Sequence, residues 1–371
     1  MNHQLALIAP QVTFVVIIVM DGFLFHLLPR LTRPDLYFAV TVPPDFRDSS
    51  EAASILKRYR REVWIHSLIA LGLVLFVPQW LGKPTPPVLL AGLFWQVIGC
   101  FLAYLRARRR VTPRAVAPAT IREADLAPRT TRFPGGWVLQ AGPFAILAGV
   151  ALWLQFHWEK IPDRFPIHWG FDGKPNGWAM RSFSGVFGPL IVAASICATM
   201  LFLGYGILHW TRRINVRGGS GQSEIRFQHS VLSILLAVEY LMALLFGWVG
   251  TLALRSPAPM VSPVAVLAPT LAFAVLIAVV LIRTGQGGSR LPEYQSIFSP
   301  AAAPVGDRTP DRYWKAGMFY FNKDDPAIFV EKRFGIGYTM NFARPASWIV
   351  MGLVILLPLA VAFLLRPHPG R

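Results

Sequence analysis

Eight long apolar segments constrain the fold of this chain more than any other feature. A helix crosses a bilayer core about 30 Å thick with about 20 apolar residues, and each segment is close to that length. Of the 371 residues, 54% are apolar and 15% are charged, which excludes a soluble enzyme, a disordered protein and a secreted disulfide scaffold. We predict an all-α polytopic membrane protein with about eight transmembrane helices and a small, β-hairpin-rich cytoplasmic module. The predicted spans are Leu5–Leu28, Trp64–Leu81, Val88–Leu105, Gly136–Phe156, Phe183–Trp210, Val231–Leu254, Val264–Ile282 and Trp348–Leu365.

The basic residues indicate the orientation of these spans. The chain carries 36 Lys and Arg against 19 Asp and Glu, a formal charge of +17. Alternate connections hold 28 of the 36 basic residues, and Lys and Arg resist translocation. We therefore predict a multi-pass protein of the cell membrane, the bacterial inner membrane, with both termini outside. Because the basic residues are spread over separate loops, we expect the lipid bilayer and no nucleic acid as a partner.

The spans and their connections divide the chain into six regions. A stretch rich in Gly, Ser and Pro follows the seventh span and is typical of a flexible linker. The predicted regions are a three-span region with basic cytoplasmic loops (1–135), a two-span unit with an outer loop at 157–182 (136–210), a second two-span unit (211–283), a flexible linker (284–310), a small cytoplasmic β-rich module (311–345) and the last span with the C-terminus (346–371).

A helical pattern precedes the second span. Asp48 and Glu51 have the spacing of a capping box, and Ser49 can also cap a helix. Apolar residues then recur at helical spacing from Ala52 to Val63, with basic residues off that stripe. This pattern predicts either an amphipathic helix on the inner membrane surface or a helical lead-in to the span.

The outer loop 157–182 is dense in Pro, Gly, Trp and His. Its Asp-Gly and Asn-Gly pairs favour turns, so we predict an ordered loop. The Gly and Pro residues within it forbid a regular helix. Its polar residues either hold the turns or form a recognition surface for a peptide or toxin. The candidates are Pro162, Pro166, His168, Trp169, Asp172, Gly173, Pro175, Asn176 and Trp178.

The module 311–345 contains two short β-prone runs, Met318–Phe321 and Ile328–Val330, with turn residues between them. We predict that these runs pair as a β-hairpin that packs on the membrane helices or on another protein. Asp324 and Asp325 are expected in a solvated turn rather than a metal site. The candidate residues for a protein partner are Trp314, Lys315, Asn322, Asp325, Pro326, Gly335, Gly337 and Asn341.

Two motifs resemble known families. The outer loop resembles the SdpI-like family, domain of unknown function 1648, and residues 314–342 resemble domain of unknown function 5808. The resemblance implies a membrane protein of the immunity or signalling kind. The family often has an acid where Asn176 stands, and the amide removes a charge that a cation or proton site would need. The matching residues are Ile161, Pro162, Pro166, His168, Trp169, Gly173, Pro175 and Trp178 in the loop, and Trp314, Lys315, Gly317, Phe319, Tyr320, Asn322, Asp325, Pro326, Phe329, Val330, Gly335, Gly337, Tyr338, Thr339, Asn341 and Phe342 near the C-terminus.

One acid, Glu239, lies near the middle of the sixth predicted span. An acid at this depth costs about 2.5–3.5 kcal/mol on insertion scales unless it has a partner or faces water. Glu239 therefore either accepts a structural hydrogen bond, with Gln140 or Gln96 as donor, or serves a proton or cation relay. The sequence leaves both roles open.

These features predict a non-enzymatic sensor or immunity-type protein whose outer loop recognises a ligand. A proton- or cation-coupled transporter using Glu239 is the alternative. An intramembrane enzyme ranks lowest because no nucleophile or ligand set is visible. We expect no cofactor and no metal.

Overall fold

A computed structural model describes residues 2–43, 45–82, 86–118, 132–170, 173–211, 220–255, 257–292 and 309–366. Within these ranges, eight helices are long and apolar enough to cross a membrane. They coincide with the eight predicted spans, so the prediction of an α-helical, multi-pass membrane architecture is confirmed. The helices are α1 (Asn2–Leu31), α2 (Ser50–Trp80), α3 (Pro86–Val111), α4 (Gly136–Phe156), α5 (Phe183–Trp210), α6 (Ser220–Thr251), α7 (Pro263–Thr284) and α8 (Pro345–Leu364).

Helix α2 joins the amphipathic segment and the second span in one helix of 31 residues. The lead-in interpretation is therefore correct and the separate surface helix is wrong. Its N-cap is Ser49, whose side chain accepts a hydrogen bond from Ala52 N at 3.1 Å. The cap thus lies one residue after the Asp48 of the expected capping box, since the chain enters the helix at Ser50.

The helices form two packed groups. In the first group, α1, α2 and α3 pack against one another, and in the second α4, α5 and α6 do so, with α8 against α5. Helix α7 contacts both α6 and α1. Each group has its own buried apolar cluster, which divides the transmembrane part into two cores.

In the part of the chain that the structure describes, four antiparallel two-stranded ladders lie outside the helices. One is in the connection between α1 and α2, one in the connection between α4 and α5, and two lie in the C-terminal module, defined here as residues 309–345. The strands are β1 (Leu36–Tyr37) with β2 (Val40–Thr41), β3 (Arg164–Trp169) with β4 (Pro175–Met180), β5 (Trp314–Lys315) with β6 (Phe319–Tyr320), and β7 (Phe329–Glu331) with β8 (Tyr338–Met340).

The C-terminal module has its strands where the sequence predicts them, but their pairing differs. The β-prone runs around Phe319 and Phe329 do not pair with each other; β6 pairs back on β5, and β7 pairs forward on β8. Ala316 and Gly317 have φ values of 51° and 72°, so they close a tight turn before β6. With this turn in place, β6 pairs with β5 rather than with β7, to which a longer connection leads.

Two further differences concern the connections. The predicted flexible linker 284–310 begins too early, because Thr284, Gln286 and Ser289 are buried. The side chain of Gln286 makes two hydrogen bonds with the backbone of Gly337, at 2.8 and 3.1 Å. This segment is therefore part of the packed structure, while residues 293–308 of the expected linker lie outside the described ranges.

Candidate functional site

The connection between α4 and α5 is a β-hairpin, here called the His168 hairpin (β3 and β4). Sequence reasoning predicted an ordered loop and missed the strands. Pro166 lies opposite Trp178 and His168 lies opposite Gly177, with shifts in register on either side of His168. Such an irregularity changes the direction in which neighbouring side chains point. His168 Nδ1 lies 2.5 Å from Asn176 Oδ1, and the ring nitrogen donates this bond because an amide oxygen accepts.

The inner face of the His168 hairpin is anchored in the second helix group. Phe165 and Ala179 are buried and pack with Ile161 in the cluster between α4, α5 and α6. Trp158 stacks on Phe187 of α5. These contacts fix the position of the hairpin relative to the first turns of α5.

The tip of the hairpin is held by the connection between α6 and α7. Trp169 Nε1 donates to Pro259 O at 2.9 Å, and Val261 N donates to Gly173 O at 2.9 Å. Gly173 has a φ of 75°, and a Cβ there would lie 2.8 Å from Val261 O. Glycine is thus required at this position for conformation and for space.

The outer face of the hairpin is exposed and carries Arg164, His168, Asn176 and Trp178. The Arg164 guanidinium lies 5.2 Å from the centre of the Trp178 ring, a cation–π contact. Among the other candidates, Pro166 is buried, and Pro162 and Pro175 are half-buried; Asp172 lies outside the described residues. The face therefore combines an exposed aromatic ring with exposed hydrogen-bonding groups.

The C-terminal module is organised around buried polar side chains. Asn341 Nδ2 donates to Asn322 O at 2.8 Å and to Asp325 O at 3.0 Å. Tyr320 donates its hydroxyl hydrogen to Asp325 Oδ2 at 2.9 Å, and Asp325 Oδ1 accepts from Ala327 N. The candidates Asn322, Asp325 and Asn341 therefore meet in one network that holds the module together. The solvated-turn interpretation holds for the exposed Asp324 and is wrong for Asp325, which is 1% exposed.

The other module candidates separate into structural and exposed residues. Trp314 is buried and donates to Thr309 Oγ1 at 2.9 Å. Gly335 and Gly337 have positive φ values in the turn between β7 and β8, so they serve the turn. Lys315 and Pro326 are exposed and lie where a partner could reach them.

A buried cation that sequence reasoning missed joins the module to the first helix group. Arg333 is 0% exposed, and its Nη1 lies 2.5 Å from Asp311 Oδ1. Asp311 also accepts from the Thr41 hydroxyl of β2 at 2.9 Å, and the Arg333 guanidinium lies over the Trp314 ring. The contact ties the start of the module to the hairpin β1–β2.

The turn of that hairpin, Phe38-Ala39, was also missed. Both residues are 0% exposed, and their φ values are 46° and 62°. Residues other than glycine rarely adopt such a backbone conformation. Arg108 Nη1 on α3 donates to the carbonyl oxygens of both residues, at 3.2 and 2.7 Å. Phe334 stacks on Phe38, so α3 and the module together hold this turn. The apolar run from Leu36 to Val40 was the available signal for a strand pair.

Burial also shifts the protonation equilibria in the module. Desolvation lowers the pKa of Lys332 and raises the pKa of Tyr338 well above its ordinary value, because the charged form of each would lose water. Both residues flank the turn of the β7–β8 hairpin, so burial there favours the neutral form of these two side chains.

Glu239 is buried in the second helix group and is 1% exposed. Its Oε2 has no hydrogen-bond partner among the described residues. The amide of Gln140 donates to Pro134 O, and that of Gln96 donates to Ile18 O and Ser67 Oγ. Oε2 therefore does not receive the structural hydrogen bond that the sequence left open. Within the described ranges, no group of three His, Cys, Asp or Glu side chains could hold a metal ion.

The fold and these sites are those of a multi-pass α-helical membrane protein. An exposed hairpin follows α4, and a module with a network of buried polar side chains precedes α8. Two of its segments match family models. Residues 144–193 match DUF1648, a domain of unknown function, and residues 323–348 match DUF5808, a family of unknown function. The two domain matches are therefore those that the sequence predicts, whereas the matches do not show the SdpI-like relationship. Neither description assigns an activity. No curated protein and no solved structure matches the chain.

Proposed function

We propose that this protein is a non-enzymatic sensor or immunity-type protein of the cell membrane. In this proposal the His168 hairpin recognises a peptide or toxin ligand outside the cell, and the C-terminal module contacts a protein partner in the cytoplasm. The basic residues on the module side support this orientation through their resistance to translocation.

The observation that carries the proposal is the path of α5. Its N-terminus follows β4 directly, and the Ser182 side chain caps it by accepting from Gly185 N. At its other end, Trp210 O accepts from Ile328 N of the module at 3.0 Å. The 28 residues of α5 extend about 42 Å, so one helix connects the hairpin to the module.

The packing along α5 supports a mechanical link. A Cβ on Gly185 would lie 2.2 Å from Met180 O in β4, and one on Gly206 would lie 2.7 Å from the Phe329 ring in β7. Both ends of the helix are therefore in close contact with an ordered β-element. A ligand that shifts the hairpin changes contacts at one end of α5 and biases those at the other.

Trp178→Ala tests recognition. We expect the parent to protect a sensitive bacterial host against at least one member of a panel of purified secreted peptide toxins, and the variant to lose that protection at unchanged membrane level, because central aromatic side chains dominate interfaces. Trp80→Ala is the matched control, since Trp80 is exposed at the end of α2 away from the module. Protection by the Trp178 variant equal to that of the parent contradicts the proposal.

A second candidate function, proton- or cation-coupled transport, is favoured by the buried Oε2 of Glu239 without a partner. An intramembrane carboxyl group of this kind is a candidate for ion or proton binding. Glu239→Gln should then abolish proton or sodium flux in proteoliposomes. Glu62→Gln, at the contact between α2 and α3 in the first helix group, should leave the flux intact. Unchanged flux in the Glu239 variant removes this candidate.

A further inference from the structure

The lipid-facing side of α2 ends in basic residues. Ile65 and Leu68 are exposed by 46% and 63%, as expected for side chains that face lipid. Arg61 lies one turn before Ile65 on the same face, and Lys57 lies one turn further. Both basic side chains are exposed, so the apolar stripe of α2 continues directly into a cationic one.

Helix α3 repeats this arrangement in the opposite direction. Ile98 and Leu102 are exposed by 56% and 42%, and the same face continues one and two turns later with the exposed Arg106 and Arg109. Because α2 and α3 pack side by side, the two cationic ends lie next to each other. We call Lys57, Arg58, Arg61, Arg106 and Arg109 the basic patch.

One acid organises the centre of the basic patch. Glu62 Oε1 lies 3.4 Å from Arg58 Nε, and Glu62 Oε2 lies 2.7 Å from Arg106 Nη1. The two arginine side chains remain about half exposed, at 53% and 48%. Glu62 therefore joins the two helices while neutralising one of five positive charges, and four remain unbalanced within the patch.

The position of the basic patch along the helices matches the headgroup layer. Each residue adds 1.5 Å to a helix, so Arg61 and Arg106 lie about 6 Å beyond the last exposed apolar residue of their stripe. The headgroup layer on each side of the hydrocarbon core is about 5–8 Å thick. Tyr104 on α3 donates to Ala316 O of the module, which places the patch on the module side of the membrane.

We propose that the basic patch binds the phosphate headgroups of anionic phospholipids in the leaflet on the module side. Charge complementarity and continuity with the lipid-facing stripe favour this ligand over an acidic protein, which would have to approach a surface lying within the headgroup layer. Guanidinium groups suit phosphate oxygens because they present paired donors. The site would hold an anionic lipid beside α2 and α3.

The test measures lipid preference in the full-length protein. Nanodiscs containing phosphatidylcholine and phosphatidylglycerol are dissolved in detergent, and the lipids retained by the protein are counted by mass spectrometry. The patch variant is Lys57→Gln, Arg61→Gln, Arg109→Gln, which leaves both ion pairs of Glu62 in place. Its preference for phosphatidylglycerol should fall at least about fivefold. A single cation near an anionic surface has an effect of this size, and the variant removes three.

The matched control removes three exposed cations from the module, Arg312→Gln, Lys315→Gln, Lys323→Gln, and should keep the parental preference. A charge-preserving variant, Lys57→Arg, Arg61→Lys, Arg109→Lys, should also keep it, which separates lost charge from misfolding. The proposal is overturned if the patch variant retains the parental preference, or if the module control loses as much. In the first case an acidic protein becomes the better candidate for the patch.

Discussion

The His168 hairpin and the C-terminal module use similar residues in opposite ways. In the module, Asn322, Asp325 and Asn341 are at most 2% exposed and bond one another or nearby backbone. In the hairpin, His168 and Asn176 are exposed and bond each other. A buried polar group must find its partners inside the protein, whereas an exposed one can exchange water for a ligand. The asparagines of the module therefore serve the fold, whereas Asn176 has the exposure that our proposal of ligand recognition requires.

The largest expected effect that tests this comparison is that of Arg333→Ala. Removing one partner of a buried ion pair costs about 3–5 kcal/mol, and Arg333 is fully buried beside Asp311. The free energy of unfolding, measured by denaturant titration in detergent micelles, should fall by that amount. The control Arg312→Ala changes an exposed arginine next to Asp311. It should change the free energy of unfolding by no more than about 0.5 kcal/mol. Equal small effects would show that Arg333 does not join the two parts.

A smaller effect distinguishes the two asparagines directly. Asn341→Ala leaves the buried backbone carbonyl groups of Asn322 and Asp325 without their donor, which should cost about 2 kcal/mol of unfolding free energy. Asn176→Ala removes an exposed partner of His168 and should cost less than about 0.5 kcal/mol. The same titration measures both variants. The reverse order of effects would contradict the assignment of structural and recognition roles.

The smallest effect concerns the tip of the His168 hairpin. Gly173→Ala forces a side chain into a positive φ and against Val261 O, which should destabilise the tip by about 1–2 kcal/mol. The amide of Val261, which donates to Gly173 O, should then exchange its hydrogen faster. Amides of β7 and β8 should keep their rates in the same measurement. Protection of Val261 that does not change would mean that the tip is held by other contacts.

Hydropathy was sufficient to locate the spans, because lipid accepts only helices whose backbone bonds are internal. Outside the membrane, hydropathy alone does not determine where a helix or strand lies. Ser49 and the run from Ala52 to Val63 predicted a helix, but only its continuity with the span distinguished a lead-in from a surface helix. Local pattern determines that a helix forms, and tertiary packing determines where it lies.

The strands of the module were predictable and their partners were not. The runs at Phe319 and Phe329 have strand propensity, yet each pairs with a segment that the pattern did not mark. Pairing depends on turns such as Ala316-Gly317 and on contacts with α5. In the hairpin between α4 and α5, the many Pro and Gly residues favoured a loop, so the strands were not predicted.

The residues that join the module to the first helix group could not be found from local sequence. Arg333 is one of nine basic residues between the seventh and eighth predicted spans, and nothing near it in sequence indicates that it is buried. Its partner Asp311 and the hairpin turn at Ala39 are distant in the chain. Burial of a single charge is a property of the assembled structure and leaves no periodic pattern.

The bond from Arg333 to Ala39 O spans 294 residues, and this separation has a consequence for synthesis. At about 5–20 residues per second, the ribosome needs roughly 15–60 s after making the Phe38-Ala39 turn before Arg333 is made. From the completion of α3 until then, Arg108 is present to donate to Ala39 O and Arg333 is not. The contacts of the hairpin turn are therefore complete only once the C-terminal module has been made.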